Sequence, residues 1–373
     1  MNIQAHAVNA PTNNRAADAG LARIIIQTII WHRMLIARSV CRREKMLDKN
    51  DKRLLSELQN NFPLTVRPYH SIAAFLKLSP DAVLHKIREY RDKGFIRYVG
   101  AVLDTKKMGM KSSLVAMTVP SDKIKPVSEC INRYSEVTHN YLRDDEYNMW
   151  FTVSARTAAR RACIIRRIKI ETGISKCLDL PTVRTFKINA RFCLDESVKF
   201  DASNLPGVLV KTRLRATNKV LAAVSRPLEI EARPFLPIAA SLRTNEREVV
   251  SMIAVCKQRK LIRRFGAVLD HYKIGLKTNA LVAWTVKKED IKRAAVFMSN
   301  VPNVSHCYLR KPSCEWPYTL YTMIHAPDRK RCGAIITLIS DGIGNTIIPA
   351  RILFTIKELK KTRFNPERKQ VCL

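Results

Sequence analysis

The sequence contains one structural plan twice, and this duplication limits the fold more than any other feature does. The run Ile96–Asp104 (IRYVGAVLD) returns as Ile262–Asp270 (IRRFGAVLD), a shift of 166 positions from 96 to 262. The run Val137–Arg143 (VTHNYLR) returns as Val304–Arg310 (VSHCYLR), a shift of 167 positions from 137 to 304. Long matches in the same order indicate repeated supersecondary units. The 373 residues are therefore expected to form two copies of one domain arrangement.

Each copy shows three short helical patterns, followed by alternating strand and helix patterns. In the first copy, the segment 51–60 has apolar residues at helical spacing. Ser79 followed by Pro80 is typical of a helix start. Three short helices and a strand pair predict a winged helix-turn-helix. The βαββαβ order that follows predicts a ferredoxin-like domain with an antiparallel sheet. The predicted fold class is thus α+β, with both units present in tandem. Strands are expected near 112–120, 136–143, 147–154 and 183–191, and again near 279–287, 303–310, 317–324 and 350–357.

The domain boundaries follow from the positions of the repeats. A mostly polar stretch with Pro206-Gly207 at its middle is typical of a linker between the copies. The expected units are an N-terminal extension at 1–45, a winged helix-turn-helix at 46–104, a ferredoxin-like domain at 105–192, the linker at 193–216, a second winged helix-turn-helix at 217–270, a second ferredoxin-like domain at 271–364 and a C-terminal tail at 365–373.

The charge of the chain indicates an anionic partner. There are 66 Lys and Arg against 32 Asp and Glu, a formal net charge of +34. Nucleic acid, an anionic membrane surface and a polycarboxylate ligand all satisfy such an excess. Because the basic residues are spread along the whole chain, a solvated basic surface is an equal alternative. Ten cysteines without a CxxC pair or zinc-ligand spacing favour reduced thiols in the cytoplasm and no metal site. The lack of an apolar run of 18 residues argues against a membrane-spanning helix.

The repeated VxHxYxR run is the strongest candidate for chemistry. Alternate residues of a strand share one face. His139, Tyr141 and Arg143 are therefore expected on one face together with Val137, and His306, Tyr308 and Arg310 repeat the pattern. Histidine is the natural proton donor near neutral pH, so His139 and His306 are the candidate general acids. The alternative is that each is a core histidine with hydrogen bonds to the backbone.

Longer motifs carry a family resemblance. A winged helix followed by a βαββαβ domain resembles the Lrp/AsnC regulators. Phe62-Pro63-Leu64 with Arg67-Pro68-Tyr69, together with the His139 run, resembles one subunit of the siroheme decarboxylases. Trp316-Pro317-Tyr318, the stretch 320–325 and the stretch 357–361, together with the His306 run, resemble the other. Residues 46 to 364 thus resemble a fusion of both subunits, and the resemblance implies a pseudo-heterodimer within one chain.

The resemblance implies a reaction. Siroheme decarboxylases remove two acetate carboxyls from siroheme to give 12,18-didecarboxysiroheme, which feeds haem d1 synthesis or the alternative haem route. No cofactor is implied, because the iron belongs to the substrate. Three features depart from the family: the N-terminal extension, the large basic excess, and Asn218-Lys219 where an acidic helix start is usual.

A macrocycle with eight carboxylates requires several cations and broad apolar walls. Arg suits carboxylates because its guanidinium binds them in a bidentate manner. The cationic candidates are Arg97, Arg263, Arg264 and Lys277, with a solvated basic wing as the alternative. Trp284 is a candidate wall, although an aromatic residue in a strand is more often part of the core. His271, which replaces Thr105 of the first copy, is a candidate substrate contact; as a turn residue it is expected to be exposed.

Two further hypotheses remain at this point. The winged helices and the charge also suit an Lrp/AsnC-type DNA-binding transcriptional regulator. Against DNA binding, Glu246 and Glu248 stand where a recognition helix prefers hydrogen-bond donors. A tetrapyrrole-binding module without turnover is the third hypothesis. A higher oligomer and contacts with other haem-pathway enzymes stay open.

Overall fold

The structure is a computed structural model that describes residues 47–189, 191–192, 194, 214–344 and 347–364. The predicted N-terminal extension at 1–45, most of the predicted linker at 193–216 and the predicted tail at 365–373 lie outside the described residues. From Lys49 onward the chain forms one compact unit. The predicted boundaries at 104, 192 and 270 stay predictions.

The three helices expected at the start of each copy are present. Ser79 caps the third helix, since its Oγ accepts a hydrogen bond from the Ala82 amide at 3.2 Å, as the sequence predicts. Asn245 caps the corresponding helix of the second copy through the Glu248 amide at 3.0 Å. The helices are α1 (Lys49–Asn60), α2 (Pro68–Leu76) and α3 (Pro80–Asp92) in the first copy, and α6 (Leu214–Val224), α7 (Leu236–Leu242) and α8 (Glu246–Gln258) in the second.

The strand after each helical unit pairs with its counterpart from the other copy. Strands β1 (Ile96–Leu103) and β6 (Ile262–Leu269) form a two-stranded antiparallel ribbon, with Gly100 opposite Gly266. The predicted strand pair inside each winged helix is therefore wrong. Because the two strands have nearly the same sequence, they complement one another about a local pseudo-two-fold axis. Glycine permits the close approach at Gly266, where a Cβ would lie 2.5 Å from the Leu58 carbonyl oxygen.

The other eight strands form one closed cyclic sheet in the order β10-β3-β4-β2-β5-β8-β9-β7. Within each copy, the strand order and the two helices on one face are those of the predicted ferredoxin-like domain. The first copy contributes β2 (Lys111–Met117), α4 (Ile124–Arg133), β3 (Val137–Arg143), β4 (Met149–Ala155), α5 (Ala158–Thr172) and β5 (Cys177–Ile188). The second contributes β7 (Thr278–Val286), α9 (Ile291–Asn300), β8 (Val304–Arg310), β9 (Leu320–Ala326), α10 (Arg329–Ile343) and β10 (Ile347–Lys361).

The last strand of each copy crosses into the sheet of the other copy. The first part of β5 pairs with β2, and its second part, from Thr182, pairs with β8. In the same way, β10 pairs first with β7 and then, from Thr355, with β3. The predicted strand at 183–191 thus begins too late, because the segment from Cys177 is already paired. Pro181 lies where β5 changes partner, at the end of its pairing with β2.

Three apolar clusters hold this arrangement together. One lies between α4, α5 and the sheet of the first copy, and a second lies at the corresponding place in the other copy. The third contains buried residues from both copies, among them Trp150, Trp316 and Tyr321. Burial of large apolar side chains is the main stabilising term in folding, so the third cluster joins the two halves into one unit. Among the described helices, none is both long and apolar enough to cross a membrane.

Candidate active site

Both copies line one large cavity. Its volume is about 1280 Å³, and its walls come from the β1–β6 ribbon, from β3 and β8, and from the far ends of the crossing strands. Sites for drug-sized molecules usually measure about 300–1,000 Å³. This cavity is therefore large enough for a ligand bigger than most metabolites.

The walls are strongly cationic. Among the described residues that line the cavity there is no Asp or Glu. A cleft lined by charge of one sign attracts a ligand of the opposite sign. The cationic lining residues are Arg97, Lys106, Lys111, Arg143, Arg161, Arg191, Arg226, Arg263, Arg264, Arg310, Lys361 and Arg363. The cavity therefore suits a polyanion.

A bulge in each copy turns the histidine motif toward this cavity. The β3–β4 register shifts between Val137 and His139, and the β8–β9 register shifts between Val304 and His306. Val137 consequently packs in the helix-side core, whereas His139, Tyr141 and Arg143 line the cavity. The expectation that Val137 shares their face is wrong, because the extra residue of a bulge reverses the alternation. His306, Tyr308 and Arg310 line the cavity in the same manner.

The three side chains of each motif form a contiguous row. The His139 and Tyr141 rings are stacked with centroids 6.3 Å apart, and the Arg143 guanidinium lies 5.3 Å from the Tyr141 centroid. In the second copy the corresponding distances are 5.9 Å and 4.9 Å. The motif is therefore one structural unit that occurs twice around the same space.

The two motif arginines also bind the crossing strands. Arg143 Nη1 donates to the Leu353 carbonyl and to Thr355 Oγ1, both at 2.9 Å. Arg310 Nη1 donates to the Leu180 carbonyl at 3.0 Å and to Thr182 Oγ1 at 2.9 Å. Each arginine thus fixes the other copy's last strand at the point where it crosses. Their predicted role in substrate binding stays a prediction.

A hydroxyl group contacts Nδ1 of each motif histidine. Thr138 Oγ1 lies 2.9 Å from His139 Nδ1, and Ser305 Oγ lies 2.7 Å from His306 Nδ1. Within the described part of the chain, Nε2 of each ring has no hydrogen bond. Nε2 is therefore the atom that a ligand in the cavity can reach. A hydrogen bond at the far nitrogen fixes the orientation and tautomer of an imidazole.

Burial favours the neutral form of both histidines. Burial first, and then the charges of Lys361 and Arg97, lower the pKa of His139 to about 4. Burial and the neighbouring His325 and His139 lower the pKa of His306 to about 3. Each imidazole can therefore become protonated near neutral pH only when an anion lies beside it, because a nearby negative charge stabilises the imidazolium.

Two further histidines of the second copy lie at the same cavity. His271 is buried, and its Nε2 accepts a hydrogen bond from Asn279 Nδ2 at 3.0 Å. His325 Nε2 lies 2.9 Å from Ser305 Oγ, and the His271 and His325 ring centroids are 4.9 Å apart. The expected exposure of His271 is wrong, because Phe192 stacks over its ring at 6.1 Å. Burial, first of all, lowers the pKa of His271 to about 3 and holds that of His325 well below its usual value.

The ribbon arginines form reciprocal ion pairs between the copies. Arg97 binds Asp270 at 2.7 Å, and Arg263 binds Asp104 at 3.0 Å. Arg97 also binds Glu358 at 2.9 Å. These pairs hold both guanidinium groups at the cavity wall.

Arg264 differs from its two neighbours in the ribbon. It is 8% exposed, lines the cavity, and has no partner among the described residues for its buried Nη1. Burial and nearby Arg191 lower its pKa to about 10, so it stays cationic at neutral pH. A buried cation without a full set of partners is costly unless an anion joins it. Arg264 is thus suited to a ligand carboxylate.

Two predicted substrate contacts lie away from the cavity. Lys277 is exposed and is not part of the wall, because the loop before β7 carries it outward. Trp284 is fully buried in the helix-side core of the second copy, where its Nε1 donates to Thr322 Oγ1 at 2.8 Å. Trp150, by contrast, lines the cavity, and its Nε1 donates to the Tyr147 carbonyl.

Two residues at this site are not among the substrate contacts predicted from the sequence. Lys361 pairs opposite His139 in the β10–β3 ladder, and His325 stands opposite Asn279 in the β7–β9 ladder. The sequence contains one signal for His325. It lies two residues after Met323 in β9, so both side chains lie on the same face of that strand, and Met323 stands opposite His306. No signal for Lys361 exists within its own copy, because the crossing of β10 brings it to His139. In the described ranges, no group of three metal-ligating side chains is suitable for a metal ion.

Comparison with known proteins first gives the class. The model of the AsnC-like ligand binding domain matches residues 107–187 and 273–360, one match in each copy. The model of the siroheme decarboxylase NirDL-like HTH domain matches residues 51–97. These matches agree with a tandem Lrp/AsnC-like architecture.

Individual relatives then give the family. The siroheme decarboxylase NirDL subunit of Paracoccus pantotrophus is 31% identical over 316 residues, which is 83% of this chain and 95% of that protein. The corresponding subunit of Paracoccus denitrificans is 29% identical over 313 residues, again 83% and 95%. The chain belongs to the siroheme decarboxylase family.

Other relatives bear on the duplication and on the fold. The siroheme decarboxylase alpha subunit of Nitratidesulfovibrio vulgaris is 37% identical over 150 residues, which is 40% of this chain and 85% of that protein. A separate subunit thus corresponds to part of this chain, which agrees with a fusion of two subunits. The crystal structure of the siroheme decarboxylase NirDL has a TM-score of 0.62 at 24% identity and covers 85% of this chain and 94% of that chain. The two proteins share their fold.

Proposed function

We propose that this chain is a carboxy-lyase that removes two acetate carboxyls from siroheme to give 12,18-didecarboxysiroheme. The observation that carries the proposal is the shared cavity, in which four histidines stand among many cations and no described carboxylate. Siroheme is a flat macrocycle with eight carboxylates, so its charge complements these walls. Relatives over most of the chain are siroheme decarboxylases, which supports the same conclusion.

The reaction needs a proton and no change of oxidation state. In each step an acetate group loses CO2 as its C–C bond breaks, and the electron pair passes to the macrocycle and then to the methylene carbon. That carbon takes up one proton and becomes a methyl group. The two steps therefore consume two protons for each siroheme. We propose that Nε2 of His139 and Nε2 of His306 deliver them, and that no cofactor takes part beyond the iron of the substrate.

The low pKa of His139 fits this role. A carboxylate close to an imidazole favours its charged form and raises its pKa. The acetates of bound siroheme would therefore favour protonation of His139 as they enter. The acid would form only where the substrate is present. The cations of the wall would hold the propionates and the remaining carboxylates in place.

The regulator hypothesis has weaker support. Glu246, at the first turn of α8, is 5% exposed and binds Arg233 through Nε at 2.9 Å. The third helix of the second winged unit thus opens with carboxylates rather than with donors for DNA phosphates or bases. The cationic residues that the structure gathers line the cavity instead. A cytoplasmic location, a higher oligomer, contacts with other haem-pathway enzymes and the route taken by the product stay predictions.

Anaerobic incubation of the purified chain with siroheme, followed by mass analysis, tests the proposal. The expected product has lost the mass of two CO2. A chain in which both His139 and His306 are replaced by Ala should still bind siroheme, which absorption titration detects, but should leave its mass unchanged. Unchanged siroheme with the natural chain, together with tight binding of duplex DNA, would favour the regulator.

A further inference from the structure

The two motif histidines differ in what lies behind them. Behind His139, the Thr138 hydroxyl contacts only another hydroxyl, Thr152 Oγ1, at 3.2 Å. Behind His306, the Ser305 hydroxyl lies 2.7 Å from His306 Nδ1 and 2.9 Å from His325 Nε2. Ser305 thus joins two imidazoles into one hydrogen-bonded chain, whereas Thr138 ends at its own histidine.

The polarity of this chain can be worked out from the available donors. A hydroxyl has one proton to donate and two lone pairs to accept with. At 2.7 Å, His306 Nδ1 is the nearest acceptor for the Ser305 proton; His325 Nε2 lies at 2.9 Å and the Met323 carbonyl at 3.3 Å. We take the polarity in which Ser305 donates to the nearer nitrogen. Ser305 then accepts from His325 Nε2–H, and His306 carries its own proton on Nε2. That is the nitrogen which faces the cavity.

The far end of the hydrogen-bonded chain is a buried nitrogen without a described partner. His325 Nδ1 is buried and has no hydrogen-bond partner among the described residues. His271 lies beside His325, and its Nδ1 is likewise buried and without a described partner. With Nε2–H donated to Ser305, Nδ1 of His325 is an unoccupied proton acceptor inside the protein.

We propose that His325 and Ser305 form a proton relay that resupplies His306 during turnover. The inference rests on the proposed function, because each decarboxylation consumes one proton. When His306 gives its Nε2 proton to the methylene carbon, the Ser305 proton moves to Nδ1 of His306. The His325 Nε2 proton then moves to Ser305, and one proton enters at His325 Nδ1, a buried atom that a water molecule must reach. One proton enters and one leaves, so both imidazoles stay neutral, now with their protons on Nδ1. After the product has left, water returns a proton to His306 Nε2, the hydrogen-bonded protons shift back, and His325 Nδ1 releases one proton.

This relay serves a need that follows from the size of the substrate. A macrocycle that fills the cavity covers His306 Nε2, so water cannot recharge the imidazole from the front. A path through Nδ1 instead lets the neutral imidazole give up its Nε2 proton without becoming an anion while the substrate stays bound. His325 and Ser305 would not touch the reacting carbon; they are positioning residues that act through His306. His139 lacks this second imidazole, because the position equivalent to His325 is Ser154.

Four variants test the relay, each measured by siroheme titration, by the rate of each CO2 loss, and by the solvent isotope effect on that rate. Ser305→Ala removes the hydroxyl, and His325→Ser gives the second copy the residue of the first. Both should slow one of the two losses by about 10-fold or more, so that a product lacking one CO2 accumulates. The siroheme affinity of Ser305→Ala should stay within about two-fold of the natural chain, because Ser305 is not among the residues that line the cavity. His325 does line the cavity, so His325→Ser is judged by its rate at saturating siroheme.

Two matched controls separate the relay from a packing effect. Ser305→Thr keeps the hydroxyl and places there the residue type of Thr138, so it should restore most of the rate. Thr138→Ala removes the hydroxyl of the first copy, which leads to no second imidazole, and should slow turnover less than Ser305→Ala does. In the natural chain, more than one moving proton should contribute to the solvent isotope effect. In Ser305→Ala, only one proton should contribute.

The outcomes separate the relay from the function beneath it. Two CO2 losses at the natural rate in Ser305→Ala and in His325→Ser would overturn the relay and leave the decarboxylase standing. Slower loss with an unchanged multi-proton isotope effect would also overturn it, since the residues would then be structural. A natural chain that binds siroheme without any loss of CO2 would remove the proposed function, and the relay with it.

Discussion

The two copies use one scaffold for two different environments of the same histidine. His139 has Lys361 opposite it in the ladder, whereas His306 has Ile188 there and is linked to other histidines on its far side. Three equivalent cavity positions, first copy before second, are Thr105 and His271, Ser112 and Asn279, and Ser154 and His325. At these positions the first copy supplies hydroxyl groups where the second supplies imidazoles and an amide.

The difference shows how a duplicated fold can treat two similar groups unequally. A cation beside His139 disfavours its charged form and would also attract a substrate carboxylate. An imidazole chain behind His306 instead offers proton movement. Since the crossing strands place each copy's last residues at the other copy's histidine, neither site is complete within one half of the chain.

The largest effect should come from the motif histidines themselves. His139→Ala and His306→Ala are each expected to reduce the rate of one decarboxylation by about 10²–10⁴-fold, the usual contribution of a positioned acid. Each single variant should release a product that lacks one CO2. Product masses and their isomers, separated by chromatography, provide the measurement. Complete loss of both steps in one variant, with both steps intact in the other, would mean that only one histidine is an acid.

Arg264 should matter more for binding than for stability. Arg264→Gln removes a cation with an unpartnered nitrogen, so siroheme affinity should fall by about 10- to 100-fold, in line with about 1.5–3 kcal/mol for a hydrogen bond to a charged group. The free energy of unfolding without ligand should stay the same or rise. Absorption titration and urea unfolding measure the two quantities. Tyr98→Phe, at the equivalent position of the first copy, is the control and should weaken binding far less.

Replacing either of the two glycines at the centre of the ribbon should destabilise the fold, but to different extents. Gly266→Ala would place a Cβ 2.5 Å from the Leu58 carbonyl oxygen, whereas the Cβ of Gly100→Ala would lie 3.2 Å from the Arg226 carbonyl oxygen. Both positions have φ in the region that favours glycine, +149° and +157°. Overpacking against backbone costs about 1–3 kcal/mol, so Gly266→Ala should be the more destabilising in urea unfolding. Equal losses would mean that strain in φ, which both share, decides the cost.

The smallest effect concerns stability against pH. The buried histidines have pKa values of about 4 for His139 and about 3 for His271 and His306, below the usual value of about 6.5. Below pH ~6.5 the unfolded chain therefore binds more protons than the folded chain, so the free energy of unfolding should fall as the pH drops through 6 and 5. Replacing His271 by Thr and His325 by Ser should flatten this dependence more than His139→Asn does. Urea midpoints at pH 8 and pH 5.5 give the comparison.

Much of the fold was predictable because the repeat and the local patterns are strong. The cap at Ser79, the βαββαβ order and the shared face of His139, Tyr141 and Arg143 agree with patterns visible in the chain. The crossing of β5 and β10 was not predictable, because a strand's choice of partner is a long-range property. For the same reason Lys361 and His325 are not among the predicted substrate contacts, and His271, a predicted contact, is expected to be exposed although it is buried. Their surroundings are completed by segments far away in sequence, such as Phe192 over His271.

One measurement tests the central claim, that both copies build a single site for one siroheme. Anaerobic titration of the chain with siroheme, followed by mass analysis of an equimolar mixture, gives the number bound and the carboxyls lost together. The account predicts one siroheme for each chain and loss of two CO2 from that molecule. Two molecules bound to each chain, or one molecule bound and unchanged in mass, would contradict it.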